Sequence, residues 1–282
     1  MIGLKIYQPK LVKLMNMVER YKQICQVQDI LTKWFDTITS VFSTDDVILD
    51  CMALRGYSSE EIYNHLKKIK MFKIDDIGSA ELFCRLTDEE YELTGLKKNG
   101  TYLLSGRYCV PIRTIDNKVS AIVGYFPDQR KYVTTPTFGF SKNTSLFGVE
   151  HIEYLDAPYV CLCEGIFDTL SLQAYGFPAL GNQGLDLSVY KAEMLKRYRR
   201  IVAIPDGDKA GASANPFKAH SVGRKNSWNI PFDNRVFIDL SVLHKQGIKD
   251  VDDYLKRGVS AEKLKDLDVI FSTSKYMYTL RS

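Results

Sequence analysis

Two runs in the second half of the chain, Tyr159 to Cys163 and Ile201 to Ile204, are too short for helices and apolar at every position. A strand that alternated apolar and polar residues would be half-buried, whereas a continuous apolar, β-branched run reads as a strand covered on both faces, the habit of parallel sheets. Between and after them the pattern calls for helices over about 167–175, 188–199 and 209–223, a short strand between the first two, and a further strand over about 234–240. That order predicts a mostly parallel sheet with crossover helices on its faces. Pro216 falls inside the third helix, where proline removes a hydrogen bond, so a kink or early stop is expected there.

Acidic strings follow these runs. Glu164-Gly165-Ile166-Phe167-Asp168 comes after the first and Asp206-Gly207-Asp208 after the second, while Lys249-Asp250-Val251-Asp252-Asp253 follows the last predicted strand. The carboxyl edge of an open α/β sheet is where ligands bind. Several acids converging there repel one another unless they share a cation. Singly, Asp-Gly-Asp is most often a solvated turn. Three such strings in one unit point instead to magnesium, brought in with a phosphate.

The order Glu-Gly-x-x-Asp, then Asp-Gly-Asp before Lys209-Ala210-Gly211, then Lys-Asp-x-Asp-Asp resembles the Toprim domain of bacterial and phage DnaG-type primases. Leu195-Lys196-Arg197-Tyr198, before the second strand, is similar to a primase segment. So are Gly106-Arg107 with Pro111-Ile112-Arg113, Lys131-Tyr132 with Thr135-Pro136, Phe140-Ser141-Lys142 with Leu146-Phe147-Gly148, and Arg55-Gly56-Tyr57-Ser58. The resemblance spans about residues 50–260 and implies an α/β Toprim domain, a central mostly parallel sheet flanked by helices, preceded by a mixed α+β subdomain. The expected division is 1–54 helical extension, 55–157 α+β subdomain, 158–262 Toprim metal-binding domain and 263–282 short tail.

The implied activity is synthesis of short RNA primers on single-stranded DNA from nucleoside triphosphates by two-metal nucleotidyl transfer with magnesium or manganese. Joining a nucleotide to a 3′ hydroxyl displaces pyrophosphate, so charge must be neutralised at the attacked phosphorus and on the leaving group. Asp206 and Asp208 are spaced to aim at one ion, with Asp250 and Asp252 completing the cradle. Glu164 is expected to serve as base or ligand, and Asp168 as a further ligand or a helix cap. Gly165 lets backbone pass close to phosphate. Arg107, Lys131, Tyr132, Lys142 and Lys249 are the expected nucleotide- and nucleic-acid-binding residues. Thr134, Thr144 and Ser105 stand where the family usually has asparagine, lysine and arginine, which predicts weak intrinsic priming. Two other readings use the same acids: a Toprim nuclease, in which the metals activate water, and a non-catalytic nucleic-acid-binding module. Against the first stands the segment from Arg107 to Lys142; against the second, the intact Glu164, Asp206 and Asp208.

With 282 residues, 45% hydrophobic, the chain can bury one or two cores, and a net charge of +4 permits a nucleic-acid partner without demanding one. The six cysteines, at 25, 51, 84, 109, 161 and 163, contain no Cys-x-x-Cys pair, so no zinc is expected. With no signal segment or membrane-length apolar stretch, the expected location is the cytoplasm, with no membrane partner. The family's zinc module and helicase-binding domain have no counterpart, so a zinc-bearing helper and a replicative helicase are expected partners and a phage or mobile-element source fits. In place of the zinc module stands a helical stripe, Leu11, Leu14, Met15, Val18, Tyr21, Ile24 and Cys25, continued by Ile30, Leu31, Trp34, Phe35 and Ile38, for packing on the core or docking a partner. Capping boxes are expected at Ser58-x-x-Glu61 and Thr87-x-x-Glu90, a helix end at Gly95 and a hairpin turn at Asp116-Asn117-Lys118.

Overall fold

The computed structural model describes residues 8–126, 131–184, 186–208, 235–256, 259–274 and 276–280. It opens on α1 (Gln8–Phe42). From Val27 onward this helix buries Leu31, Trp34, Phe35 and Ile38, three or four residues apart and so on one face, against Phe72, Ile74, Cys109 and Ile122. Before Val27 the helix is more exposed, with Met15 and Tyr21 at 63% and 67%, although Arg20 lies over the Phe138 ring and Ile24 against Gly139. The stripe expected from sequence therefore meets the core only in its second half; the side chains of Leu11 and Leu14 lie outside the described ones.

Next come α2 (Asp45–Arg55), α3 (Glu60–Lys68), β1 (Phe72–Lys73), α4 (Ile77–Phe83), α5 (Asp88–Thr94), the small hairpin β2 (Lys97–Lys98) and β3 (Thr101–Tyr102), then β4 (Tyr108–Arg113), β5 (Val119–Phe126) and β6 (Lys131–Thr134). Thr87 and Glu90 form the expected capping box, and Gly95 closes α5 in the left-handed region. The cap of α3 is Ser59, whose hydroxyl accepts from the Ile62 N–H, one residue later than expected. Strands β1, β4, β5 and β6 make an antiparallel sheet in the order β1-β4-β5-β6, and the turn between β4 and β5 holds Asn117 at φ +64°.

The second layer is built from β7 (Val160–Cys163), α6 (Ile166–Ala174), β8 (Ala179–Gly181), α7 (Val189–Leu195), β9 (Ile201–Ile204), β10 (Arg235–Asp239), α8 (Ser241–His244), α9 (Val251–Lys256), α10 (Ala261–Thr273) and β11 (Tyr276–Thr279). Five strands pair in parallel in the order β11-β10-β9-β7-β8. Alternate residues enter opposite cores: Cys161, Cys163, Val202 and Ile204 on one side, Val160, Leu162, Ile201 and Ala203 on the other. The apolar runs are thus buried on both faces, as their composition requires. The helix expected over about 209–223, with Pro216, lies outside the described residues.

The expected short tail begins inside α10 and takes in β11. Leu267 and Phe271 of α10 sit in the core, and β11 adds the edge strand beside β10. The seam near residue 158 is not a gap between cores, because Ile166, Phe167 and Leu170 of α6 pack with Val110, Ile112 and Val123 of the antiparallel sheet while Leu172 faces the parallel one. Among the described residues no helix is long and apolar enough to cross a membrane.

Candidate metal centre

The first two acidic strings follow strands and the third opens α9. Glu164 and Gly165 follow β7, and α6 begins at Ile166 with Asp168 in its first turn. The Asp168 carboxyl folds back over the helix start, so close to Gly165 that a Cβ there would lie 2.4 Å from Oδ2. A side chain at 165 would have to push that carboxyl aside. Asp206 and Asp208 follow β9, and the Gly207 N–H donates to the Lys249 carbonyl at 2.7 Å, tying the second string to the third. A Cβ on Gly207 would stand 2.7 Å from the Leu240 carbonyl oxygen, so that close approach demands glycine.

The result is a cluster: Asp168, Asp206 and Asp250 each bring a carboxylate oxygen within 4.8 Å of the others. Asp208 is half-buried on the same tip as Asp206. An ammonium partly answers the charge, with Lys249 Nζ 2.8 Å from Asp206 and 4.0 Å from Asp250. Burial works against this lysine, but its contacts with Asp206 and Asp250 hold it protonated above its ordinary range. The acids show the opposite strain. Burial, then Asp206 and Asp208, push Glu164 up to about 7, and burial with the neighbouring acids pushes Asp250 up to about 6. Asp168 is raised well above its usual value, by burial first and then by Asp250, Asp252 and Asp206. Oε2 of Glu164 is buried with no hydrogen-bond partner. An all-oxygen donor set, mutually repelling and with an orphaned buried oxygen, suits a hard divalent cation.

A cleft of about 290 Å³ opens over these acids. Tyr132, Lys142, Gly165 and Lys249, expected to bind nucleotide, line it together with Glu164. Arg107 and Lys131 do not. Since Tyr132 points into the cleft and rests on Tyr125 with ring centroids 4.9 Å apart, its strand neighbour Lys131 points away. Arg107 donates to the Leu103 carbonyl at 3.0 Å and lies over Phe126, beside Gly124. Both belong to the far face of the antiparallel sheet at its β5–β6 end.

Asp252, expected to complete the cradle, is held differently from the other acids. It is buried beside the cluster with its oxygens already engaged, by Arg55 and Lys256 at 2.6 and 2.8 Å and by the hydroxyls of Tyr57 and Ser171 at 2.6 and 2.5 Å. Burial opposes its charge, yet Arg55 and Lys256 prevail and hold it below its usual range. One oxygen of it still lies within 4.8 Å of oxygens of Asp250 and Asp253. Arg55 and Gln183, to which the sequence assigns no role, bring further polar groups to the cleft. Arg55 stands in a segment that matched a family motif, whereas no sequence signal marks Gln183.

Residues 161–255 match the family model described as Toprim-like. No curated protein matches the chain. Among solved structures, the RNA polymerase domain of Mycobacterium tuberculosis primase DnaG, in complex with a double-stranded DNA oligomer with a 6-nucleotide overhang, superposes with a TM-score of 0.65 at 18% identity, covering 86% of this chain and 80% of that one. A DnaG primase catalytic domain bound to single-stranded DNA gives 0.61 at 16%, covering 88% and 82%. The E. coli primase catalytic core gives 0.62 at 17%, covering 84% and 78%.

Proposed function

From the premise that residues 161–255 form a Toprim-like domain set in the fold of DnaG primase catalytic cores, we propose that this protein is a primase catalytic core, a nucleotidyltransferase making short RNA primers on single-stranded DNA from nucleoside triphosphates. The observation that carries the reading is convergence: acids from three distant stretches meet within 4.8 Å at the sheet edge, under a cleft whose other wall supplies Lys142 and Tyr132.

Asp168, Asp206, Asp208 and Asp250 would hold magnesium or manganese. Such ions, when bound, neutralise the triphosphate and lower the pKa of the attacking 3′ hydroxyl. Glu164, whose buried oxygen has no partner, would accept the hydroxyl proton or complete the ligand set. Lys249 holds Asp206 by a contact that a cation would replace, which frees its ammonium for phosphate. Lys142 offers a second positive charge, and Tyr132, 48% exposed, a surface on which a base can stack. Arg107 and Lys131, on the far face, would meet template backbone rather than the reacting nucleotide. A zinc-bearing helper and a replicative helicase complete the proposed cytoplasmic setting.

The deciding experiment incubates the protein with labelled ribonucleotides and single-stranded DNA in Mn²⁺, beside Glu164→Gln. Ribonucleotide oligomers that vanish in the variant support the proposal. A shortened template instead identifies a nuclease, and DNA binding with neither product identifies a non-catalytic module.

A further inference from the structure

Asp252 and Arg55 meet at the seam between the two sheets. Asp252 is 2% exposed, and a carboxylate offers about four lone-pair directions. Protein donors meet all of them. Oδ1 accepts from Tyr57 and Ser171, and Oδ2 from Arg55 and Lys256. These donors come from three places: Arg55 ends α2 with Tyr57 just past its cap, Ser171 lies in α6, and Lys256 is one turn along α9 from Asp252 itself. Gly56, left-handed at φ +76°, turns the chain so that Arg55 and Tyr57 close on the same carboxylate. The guanidinium is held in turn, 3.6 Å from the Phe167 ring centroid and 5.0 Å from that of Tyr125.

This knot reaches the acid cluster through backbone. The Asp252 N–H donates to Asp168 Oδ1 at 3.2 Å, and the Asp253 N–H to Asp250 Oδ1 at 2.7 Å. Both accepting carboxyls belong to the three-acid cluster. Displacing Asp252 would therefore displace the groups that aim two of the three acids.

We infer that the Arg55–Asp252 pair is a positioning clamp through which the amino-terminal helices set the geometry of the ion site, and that Asp252 is not itself an ion ligand. The inference rests on the ion-site reading above and extends it to residues outside the acid tips. Simple charge repulsion and the clamp make opposite predictions. A guanidinium lining an ion cleft repels a divalent cation, so its removal ought to tighten binding; a clamp, once removed, loosens it.

The test measures Mn²⁺ affinity by electron paramagnetic resonance on the full chain, for wild type, Arg55→Ala, Arg55→Lys, Asp252→Asn and the Arg55→Ala/Asp252→Asn double variant. Arg55→Ala and Asp252→Asn are each expected to weaken binding about ten- to a hundredfold, the usual effect of losing a group that orients a ligand. The double variant is expected to be no weaker than the poorer single one, because both break the same contact. Arg55→Lys keeps the charge without the planar fork and is expected to fall between wild type and Arg55→Ala. Tighter or unchanged binding in Arg55→Ala overturns the clamp, as does a double loss equal to the product of the single ones. Hydrogen exchange without any ion supplies the second readout. In Arg55→Lys the amides of residues 251–253 are expected to exchange faster, and unchanged exchange overturns the clamp. A wild type that takes up no Mn²⁺ removes the ion-site reading, while the exchange comparison still decides the clamp.

Discussion

Asp250 and Asp252 are two residues apart and live under opposite electrostatics. The acid tip that contains Asp250 faces other carboxylates, and burial among them drives its pKa up to about 6. The knot that contains Asp252 is at least as buried, yet two cations and two hydroxyls hold that carboxylate ionised. Burial alone predicts neither state; the partners do. The tip is repulsive and suited to receive charge, while the knot is satisfied and suited to hold shape.

The comparison can be broken most sharply at the tip. Asp206→Asn is expected to cut primer synthesis on the order of a thousandfold, the scale seen when a group that stabilises transition-state charge is lost, as counted in labelled ribonucleotide oligomers. Unchanged synthesis would remove the acids from the chemistry. At the knot the expected loss is in folding: Asp252→Ala leaves Arg55 buried beside Lys256 without their anion and should cost about 3 kcal/mol in urea denaturation without divalent ions. The same measurement on Asp168→Asn should show a gain of about 1 kcal/mol, because a repelling acid is removed from its neighbours. Equal signs for the two substitutions would erase the distinction between tip and knot.

pH sharpens it further. Glu164 and Asp250 have folded-state pKa values raised to about 7 and about 6, above their ordinary 4.5 and 3.8. Between those limits the folded chain binds more protons than the unfolded one, so the contribution of these two groups is fully present below about pH 4 and is lost as pH rises towards 7. Denaturation midpoints at pH 5 and 7.5 should show that fall, and Mn²⁺ should reduce it. The smallest effect is expected far from both regions, where Thr87→Ala removes the capping box of α5 at about 1 kcal/mol and leaves Mn²⁺ affinity unchanged.

What the sequence made legible was local. Continuous apolar runs fix a doubly covered strand, and the next acid then has to stand at its tip, so the tips of β7 and β9 and the parallel character of their sheet could be read directly. The knot could not, because Arg55 and Tyr57 are 197 and 195 residues from Asp252 and no periodicity links them. Edge strand β11 escaped for a similar reason: α8, α9 and α10 lie between it and β10 in the chain. That Lys131 lies outside the cleft was legible, since strand alternation puts it opposite Tyr132. Ser58 and Ser59 both satisfy a cap pattern, and only the backbone turn separates them.

One helix, α6, gives Phe167 and Leu170 to the core of one sheet and Leu172 to that of the other, and carries Asp168 at its start. A wedge shared in this way cannot follow one half without dragging the other. Gaping of the two halves about a hinge would thus tear the packed interior that α6 shares between them.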